Sequence, residues 1–237
     1  MQHKNVKLFL ATLFFIGLSS LQAQSVKDID GNVYKTVKIG KQVWMKENLK
    51  TTKYQNGELI GSTTPDTLDI STENTPKYQW AYKGNESNVK TYGRLYTWYA
   101  ATDSRNICPT GWHVPNDEEW TTLTDYLINN GYGYGGSGSD ITKSMAATSG
   151  WTPNSIVGNV GNDQMKNDSS GFAAVAGGYR YGSGLFNAFG SYCYYWSATE
   201  LYSTTAWYRN LGAHRNDVYR GSGSKQNGVS IRCLRDK

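Results

Sequence analysis

The chain has 237 residues, a formal net charge of +5, 14% aromatic side chains and 26 glycines. Its lysines and arginines are scattered, and setting aside residues 1–23, which hold Lys4 and Lys7 and no acids, lowers the charge to about +3. No basic patch suited to nucleic acid is present, and the aromatic, glycine-rich composition excludes a helical bundle in favour of short strands and tight turns.

The N-terminal segment 1–23 reads as a secretory signal. Lys4 and Lys7 form a positive start, Leu8 to Leu21 is almost wholly apolar, and Ala23 offers a small-residue cleavage point. That apolar run is short for a membrane span. A lipoprotein would need a cysteine after the cleavage point, but Gln24 and Ser25 stand there. The expectation is therefore a secreted or cell-envelope-associated protein, with no membrane insertion after cleavage. Residues 24–237 are expected to form one domain.

In DIDGNVYKTVKIGKQVWMKENL, alternation from Val33 to Ile39 and again from Gln42 to Met45 predicts a hairpin. Gly40-Lys41 suits its two-residue turn, with glycine at the first central position. Trp44 is a candidate core residue. Residues 51–77 are polar and aperiodic, with Pro65 and Pro76, and read as a long loop. The strand-like KYQWAY follows without any shift in composition, so this loop is no interdomain linker. In YGRLYTWYAATD, Leu95, Trp98, Tyr99 and Thr102 recur at helical spacing and predict a helix.

The stretch CPTGWHVPNDEEWTTLTDYL, residues 108–127, is a structural hub. Pro109 and Gly111 shape a turn, and Pro115 keeps Val114 extended. Asn116 with Glu119 forms a capping-box pattern, and Asp117, Glu118 and Glu119 suit the positive end of a helix dipole. Trp120, Leu123 and Leu127 mark the buried face until Asn129-Asn130-Gly131 stops the helix. GYGYGGSGS contains G-x-G-x-x-G at Gly131, Gly133 and Gly136, but it follows a helix and lacks the strand-before, helix-after context of a dinucleotide site. A plain loop is expected. From Phe172 onward, short aromatic segments separated by Gly, Ser and Asn predict a meandering antiparallel sheet.

Six motifs in fixed order carry a resemblance: DIDGNVYKTVKIGKQVWMKENLKT, YGRLYTWYAA, CPTGWHVPNDEEW, GGYRYG, YWSATE and the terminal SIRCLRD. They are similar to the Fibrobacter succinogenes major paralogous domain from about Asp28 to Asp236. Members of that family are exported or surface proteins of Bacteroidetes and Fibrobacteres, mostly without an assigned activity. A more distant similarity runs to the formylglycine-generating-enzyme branch of the C-type-lectin-like folds. It implies an α+β single domain with two helices, irregular antiparallel sheets, long loops and neighbouring termini.

An exported chain with three cysteines is expected to pair two and leave one odd. The resemblance implies Cys108 with Cys233, a loop whose closure contributes roughly 4–5 kcal/mol in the chain-entropy account. Cys193, flanked by tyrosines, then reads as buried and inert; a pairing through Cys193 is the alternative. The formylglycine-generating enzymes use paired cysteines near the C-terminus to bind copper. Cys233 stands alone there, and a disulfide would leave it no thiolate to ligate metal.

Other constellations are thin. His113 lies in the GWHVP turn and suits a structural role. His214 is close to Asp217 in sequence and is a candidate to pair with it, but no nucleophile-elbow motif accompanies them. Asp140, Asp163, Asp168 and Asp217 offer oxygen ligands for a structural calcium without EF-hand spacing, and no other cofactor or metal is expected. The last third of the chain is rich in Tyr and Trp interleaved with Arg180, Arg209, Arg215 and Arg220. Aromatic faces with polar tips suit sugar rings or protein partners, and Tyr181, Tyr195 and Tyr208 are the candidate ligand-binding residues. The expected function is a non-catalytic lectin-like module for a carbohydrate or surface protein. The alternatives are oxidase-like chemistry on the formylglycine-generating-enzyme scaffold, or a structural or adhesive surface component.

Overall fold

The computed structural model describes residues 24–237. The signal expected over residues 1–23 lies outside the described residues.

β1 (Ser25–Lys27) pairs antiparallel with β2 (Val33–Ile39), which turns at Gly40-Lys41 into β3 (Gln42–Met45). Gly40 takes φ +60°, as the expected turn requires, and a Cβ there would lie 2.8 Å from the Tyr126 ring. Trp44 is fully buried. The 51–77 stretch has only isolated bridges, yet Tyr54, Ile60 and Ile70 are buried within it.

β4 (Gln79–Trp80), α1 (Val89–Tyr92), β5 (Leu95–Tyr96) and α2 (Trp98–Ala101) come next. The single helix expected across YGRLYTWYAATD is therefore corrected to a turn of helix, a strand and another turn. Gly93, at φ +73°, ends α1 where a Cβ would lie 2.6 Å from the Asn48 side chain. Leu95 and Tyr96 then pair with Trp80 and Gln79. A short aromatic run satisfies a helix period and a buried strand equally well, so its neighbours decide.

β6 (Trp112–His113) leads into α3 (Asp117–Asn129). The capping box forms as expected: the Glu119 N–H donates to Asn116 Oδ1, and the Asn116 N–H donates to the Glu119 carboxylate. Trp120, Leu123 and Leu127 are fully buried, and the chain leaves the helix through Gly131 at φ +80°. An irregular Gly/Ser loop precedes the single turn α4 (Thr142–Met145).

The remaining strands are β7 (Gly177–Arg180), β8 (Phe186–Phe189), β9 (Tyr192–Tyr202), β10 (Thr205–Gly212), β11 (Tyr219–Ser224), β12 (Val229–Ser230) and β13 (Leu234–Arg235). β9, β10 and β11 make the expected antiparallel meander. β7 and β12 instead run parallel to β9, which corrects an all-antiparallel reading. Strands this short carry no direction in their side-chain pattern; the spatial neighbour fixes it.

One five-stranded sheet has the order β1-β2-β3-β13-β6. A larger sheet has the order β11-β10-β9-β12-β5-β4, with β7 and β8 attached at β9. The fold is α+β and mostly sheet. Of the four α-helical segments among the described residues only α3 exceeds one turn, where the resemblance implied two helices. Arg235 donates to the Gln24 side chain at 3.2 Å, so the two ends of the described chain meet.

Two cores result. One gathers Tyr34, Met45, Tyr96, Trp196 and Ile231 around the Cys108–Cys233 disulfide, whose Cα atoms are 6.0 Å apart. The other stacks Trp44, Trp120, Phe172 and Tyr195 against α3. Cys193 is free and buried in this second core, and burial pushes its thiol up to about 12.

Candidate ligand-binding cavity

Strand alternation sends successive β9 side chains to opposite faces of the sheet. Tyr195 points towards α3, fully buried, with its ring 5.6 Å from Trp120 and 5.9 Å from Phe172. Its hydroxyl donates to Asn48 Oδ1 at 3.1 Å. Tyr195 is thus a core residue, and its selection as a ligand-binding residue is corrected. Tyr194 and Trp196, flanking it, face the other way.

On that other face lies a cavity of about 230 Å³. Its walls are Tyr179, Tyr181, Tyr194, Trp196, Tyr208, Ser222, Gly223, Asn227 and Val229. Tyr181 and Tyr208 both line it. The rings form an arc from Tyr181 to Tyr179 at 4.7 Å, on to Tyr194 at 4.7 Å, to Tyr208 at 5.2 Å and to Trp196 at 6.4 Å. Neighbouring planes are steeply inclined, by 59° to 76°, as edge-to-face packing favours.

Glycines on β11 make room for the arc. Gly221 lies opposite Tyr208 across the strand pair, and a Cβ there would come within 2.9 Å of the Tyr208 hydroxyl. A Cβ on Gly223 would lie 3.3 Å from the same ring and 3.5 Å from Asn227 Nδ2.

The cavity is electrostatically neutral. Burial raises the Tyr179, Tyr194 and Tyr208 phenols above the ordinary tyrosine value, and neighbouring phenols push them further. They stay protonated across the ordinary pH range. The Tyr194 and Tyr208 hydroxyls find no hydrogen-bond partner among the described residues, yet neither is sealed from solvent. Each is an unused donor and acceptor at the cavity wall.

The Tyr181 side is held by a residue far from it in character. Arg180 is fully buried, donates to the Asp66 and Leu68 carbonyls and to the Tyr181 carbonyl, and lies 4.1 Å over the Trp80 ring. The Gly182 N–H donates to Asn227 Oδ1, and the Ile70 N–H to the Gly182 carbonyl. The featureless 51–77 loop is therefore the brace of this wall. Nothing in its composition announces that role; only the Arg180 contacts reveal it.

On the opposite face of the sheet, Arg209 and Arg220 share one carboxylate. Arg209, 2% exposed, donates to the Asp117 carboxylate and carbonyl and to Thr121. Arg220 shares that carboxylate and lies 3.5 Å over Trp207. Burial pushes the Asp117 carboxyl up, but Arg220 and Arg209 together leave it below the usual range. His113 has both ring nitrogens on acids, Asp236 at 2.6 Å and Glu119 at 3.0 Å. Burial opposes its charge, but those carboxylates outweigh it and raise the imidazole above its ordinary value. These carboxylates, with Lys41 and Thr122, also border a cavity of about 330 Å³ beside β13. Its acids are committed to the His113 clamp.

Other candidates disperse. His214 meets Asn154 at 2.7 Å, and Asp217 pairs with Arg215, so the expected His214–Asp217 contact is corrected. A two-residue step places the Arg215 guanidinium squarely on the carboxylate and leaves the imidazole outside. Asp140 accepts from the Tyr134 N–H, Asp163 pairs with Lys166, and Asp168 accepts from the Ala173 N–H. Among the described residues, no three His, Cys, Asp or Glu side chains gather into a metal-holding group.

Sequence reasoning singled out Tyr181 and Tyr208 but not Tyr194, Trp196, Ser222 or Asn227 as partners in one cavity. Alternation along β9 is the signal that separates Tyr194 and Trp196 from Tyr195. No local signal marks Asn227.

The family model described as the Fibrobacter succinogenes major domain matches residues 37–235, and the chain belongs to this family. No curated protein and no solved structure matches it.

Proposed function

We propose that this member of the family is an exported, non-catalytic, lectin-like module that takes its carbohydrate or protein ligand in the tyrosine cavity, at or outside the cell envelope. The observation that carries this reading is the arc of five inclined rings with unused hydroxyls around an accessible, uncharged space. Buried polar groups in a finished core find partners; hydroxyls held open in a braced cavity suit a ligand. The α+β architecture, the meeting ends and the disulfide are in keeping with a C-type-lectin-like fold. The oxidase-like alternative needs a reactive thiolate, whereas Cys233 is bonded to Cys108 and Cys193 is buried.

A glycan array and an envelope-extract pull-down test this reading, run on the purified protein and on Tyr208→Ala. Capture of a sugar or a protein by the first and its loss in the second is the expected result. A binder indifferent to Tyr208→Ala, or no binder of either kind, would sink it. Export is checked separately, by N-terminal sequencing of protein recovered outside the cytoplasm, which should begin at Gln24.

A further inference from the structure

We infer that the cavity receives one neutral pyranose ring of a saccharide and rejects sugars that carry a carboxylate. This rests on the binding-module reading above and narrows it to a ligand class.

Size comes first. A space of about 230 Å³ is below the roughly 300 Å³ at which drug-sized pockets begin. It has room for one hydroxylated ring, not for two rings stacked or for a folded peptide. Shape agrees. Tyr194 and Tyr208, part-exposed and inclined by 76°, present faces that suit the axial C–H face of a pyranose over the buried Trp196, while the two phenols and Asn227 supply polar atoms around it. Asn227 is oriented to donate into the cavity, because its Oδ1 is occupied by the Gly182 N–H and its Nδ2 has no acceptor among the described residues. A ligand hydroxyl can accept from that amide and donate to a phenol, which is the mixed demand a sugar makes.

Charge decides the rest. Among the described residues, no Lys, Arg, Asp or Glu lines the cavity. The groups that act on the Tyr179, Tyr194 and Tyr208 phenols are other tyrosines and the Cys193 thiol. Nearby cations are spent elsewhere: Arg180 on backbone carbonyls, Arg209 on Asp117 and Lys225 on Glu200. A carboxylate brought into this space would lose water and meet no counter-charge. A neutral ring loses only hydroxyl hydration, which the unused donors and acceptors replace.

The test is saturation-transfer NMR and calorimetry on the purified protein, using methyl glycosides of glucose, galactose and mannose beside glucuronic and galacturonic acid. At least one neutral glycoside should bind, and its matching uronate should bind at least about tenfold more weakly. Affinity should change by less than about twofold between low and high salt, since no ion pair forms. Tyr208→Ala should weaken binding at least about tenfold, and Tyr208→Phe by less, because the ring remains. Gly223→Val fills the cavity without removing an aromatic and should abolish binding. If it fails to fold, Gly223→Ala gives a smaller loss to read, its Cβ meeting the Tyr208 ring at 3.3 Å and Asn227 Nδ2 at 3.5 Å. Uronates binding as well as neutral glycosides, or Gly223→Ala and Tyr208→Ala leaving affinity unchanged, would overturn the inference. A protein captured through the cavity, with no sugar bound, overturns the ligand class but leaves the binding-module reading standing. Absence of any binder removes both.

Discussion

Tyr194 and Tyr195 are adjacent on one strand and live in different worlds. Tyr195 stacks on Trp120, donates to Asn48 and accepts from the fully buried Arg232 guanidinium, so its hydroxyl is engaged on both sides. Tyr194 stands in the ring arc with a hydroxyl that no described residue engages. On the α3 side of the sheet Asp117 holds Arg209 and Arg220, and His113 is clamped between Asp236 and Glu119. The cavity, among the described residues, is lined by no charged side chain. A side chain's polar satisfaction, more than its type or its place in the chain, separates the structural tyrosine from the candidate binding one.

The comparison breaks most directly at its two central residues. Tyr195→Ala should lower unfolding stability by about 3–5 kcal/mol, as large buried aromatics do, measured by urea denaturation. Tyr194→Ala should lower it far less and lose ligand instead. Similar stability losses from the two would erase the distinction.

Asp117→Ala comes next. It strands the buried Arg209 guanidinium, and a loss of about 3 kcal/mol is expected, at the low end for a broken buried pair because Thr121 and the residue 117 carbonyl still accept from Arg209. Affinity at the cavity should not change. A matching loss of affinity would mean the two faces are coupled.

Arg180→Met tests the brace. It leaves the Asp66 and Leu68 carbonyls without their donor, at about 1–3 kcal/mol for a buried group left unpaired, while the Tyr181 carbonyl keeps the Gly184 N–H. Binding should weaken because the Tyr181 wall loosens. Weakened binding with a retained far-ultraviolet spectrum places Arg180 as a positioning residue; unchanged binding would make it purely structural.

The smallest effect sits at His113. Its folded value is raised above the ordinary 6.5 of histidine, so its clamp stabilises fully below that pH. The contribution is lost as pH rises through the raised folded value. The imidazole is partly exposed, so screening keeps the size modest. Denaturation midpoints should fall between pH 6 and pH 9 in the wild type and stay flatter in His113→Gln. A midpoint that rises over that range would contradict the clamp.

Much of the architecture was legible because it is made by local chemistry. The Gly40 turn, the Asn116–Glu119 capping box, the Trp120–Leu123–Leu127 face and the helix stop near Gly131 each need only neighbours within a few residues. The family pattern supplied the Cys108–Cys233 pairing. The stretch 92–103 was misleading because its aromatic spacing fits a helix, while Gly93 and pairing with β4 cut it into pieces.

For the cavity, the amino-acid sequence by itself determined a supply of aromatic side chains and their two-residue alternation. Alternation says that Tyr194 and Tyr195 oppose each other; it does not say which of them faces α3. Only the tertiary structure decided that, by stacking Tyr195 on Trp120 and leaving Tyr194 to the arc. It alone also brought Arg180 to carbonyls 114 and 112 residues away and Asn227 to Gly182. The reason is physical: burial and hydrogen-bond satisfaction are properties of neighbours in space, and in a sheet of short, crossing strands those neighbours are distant in sequence.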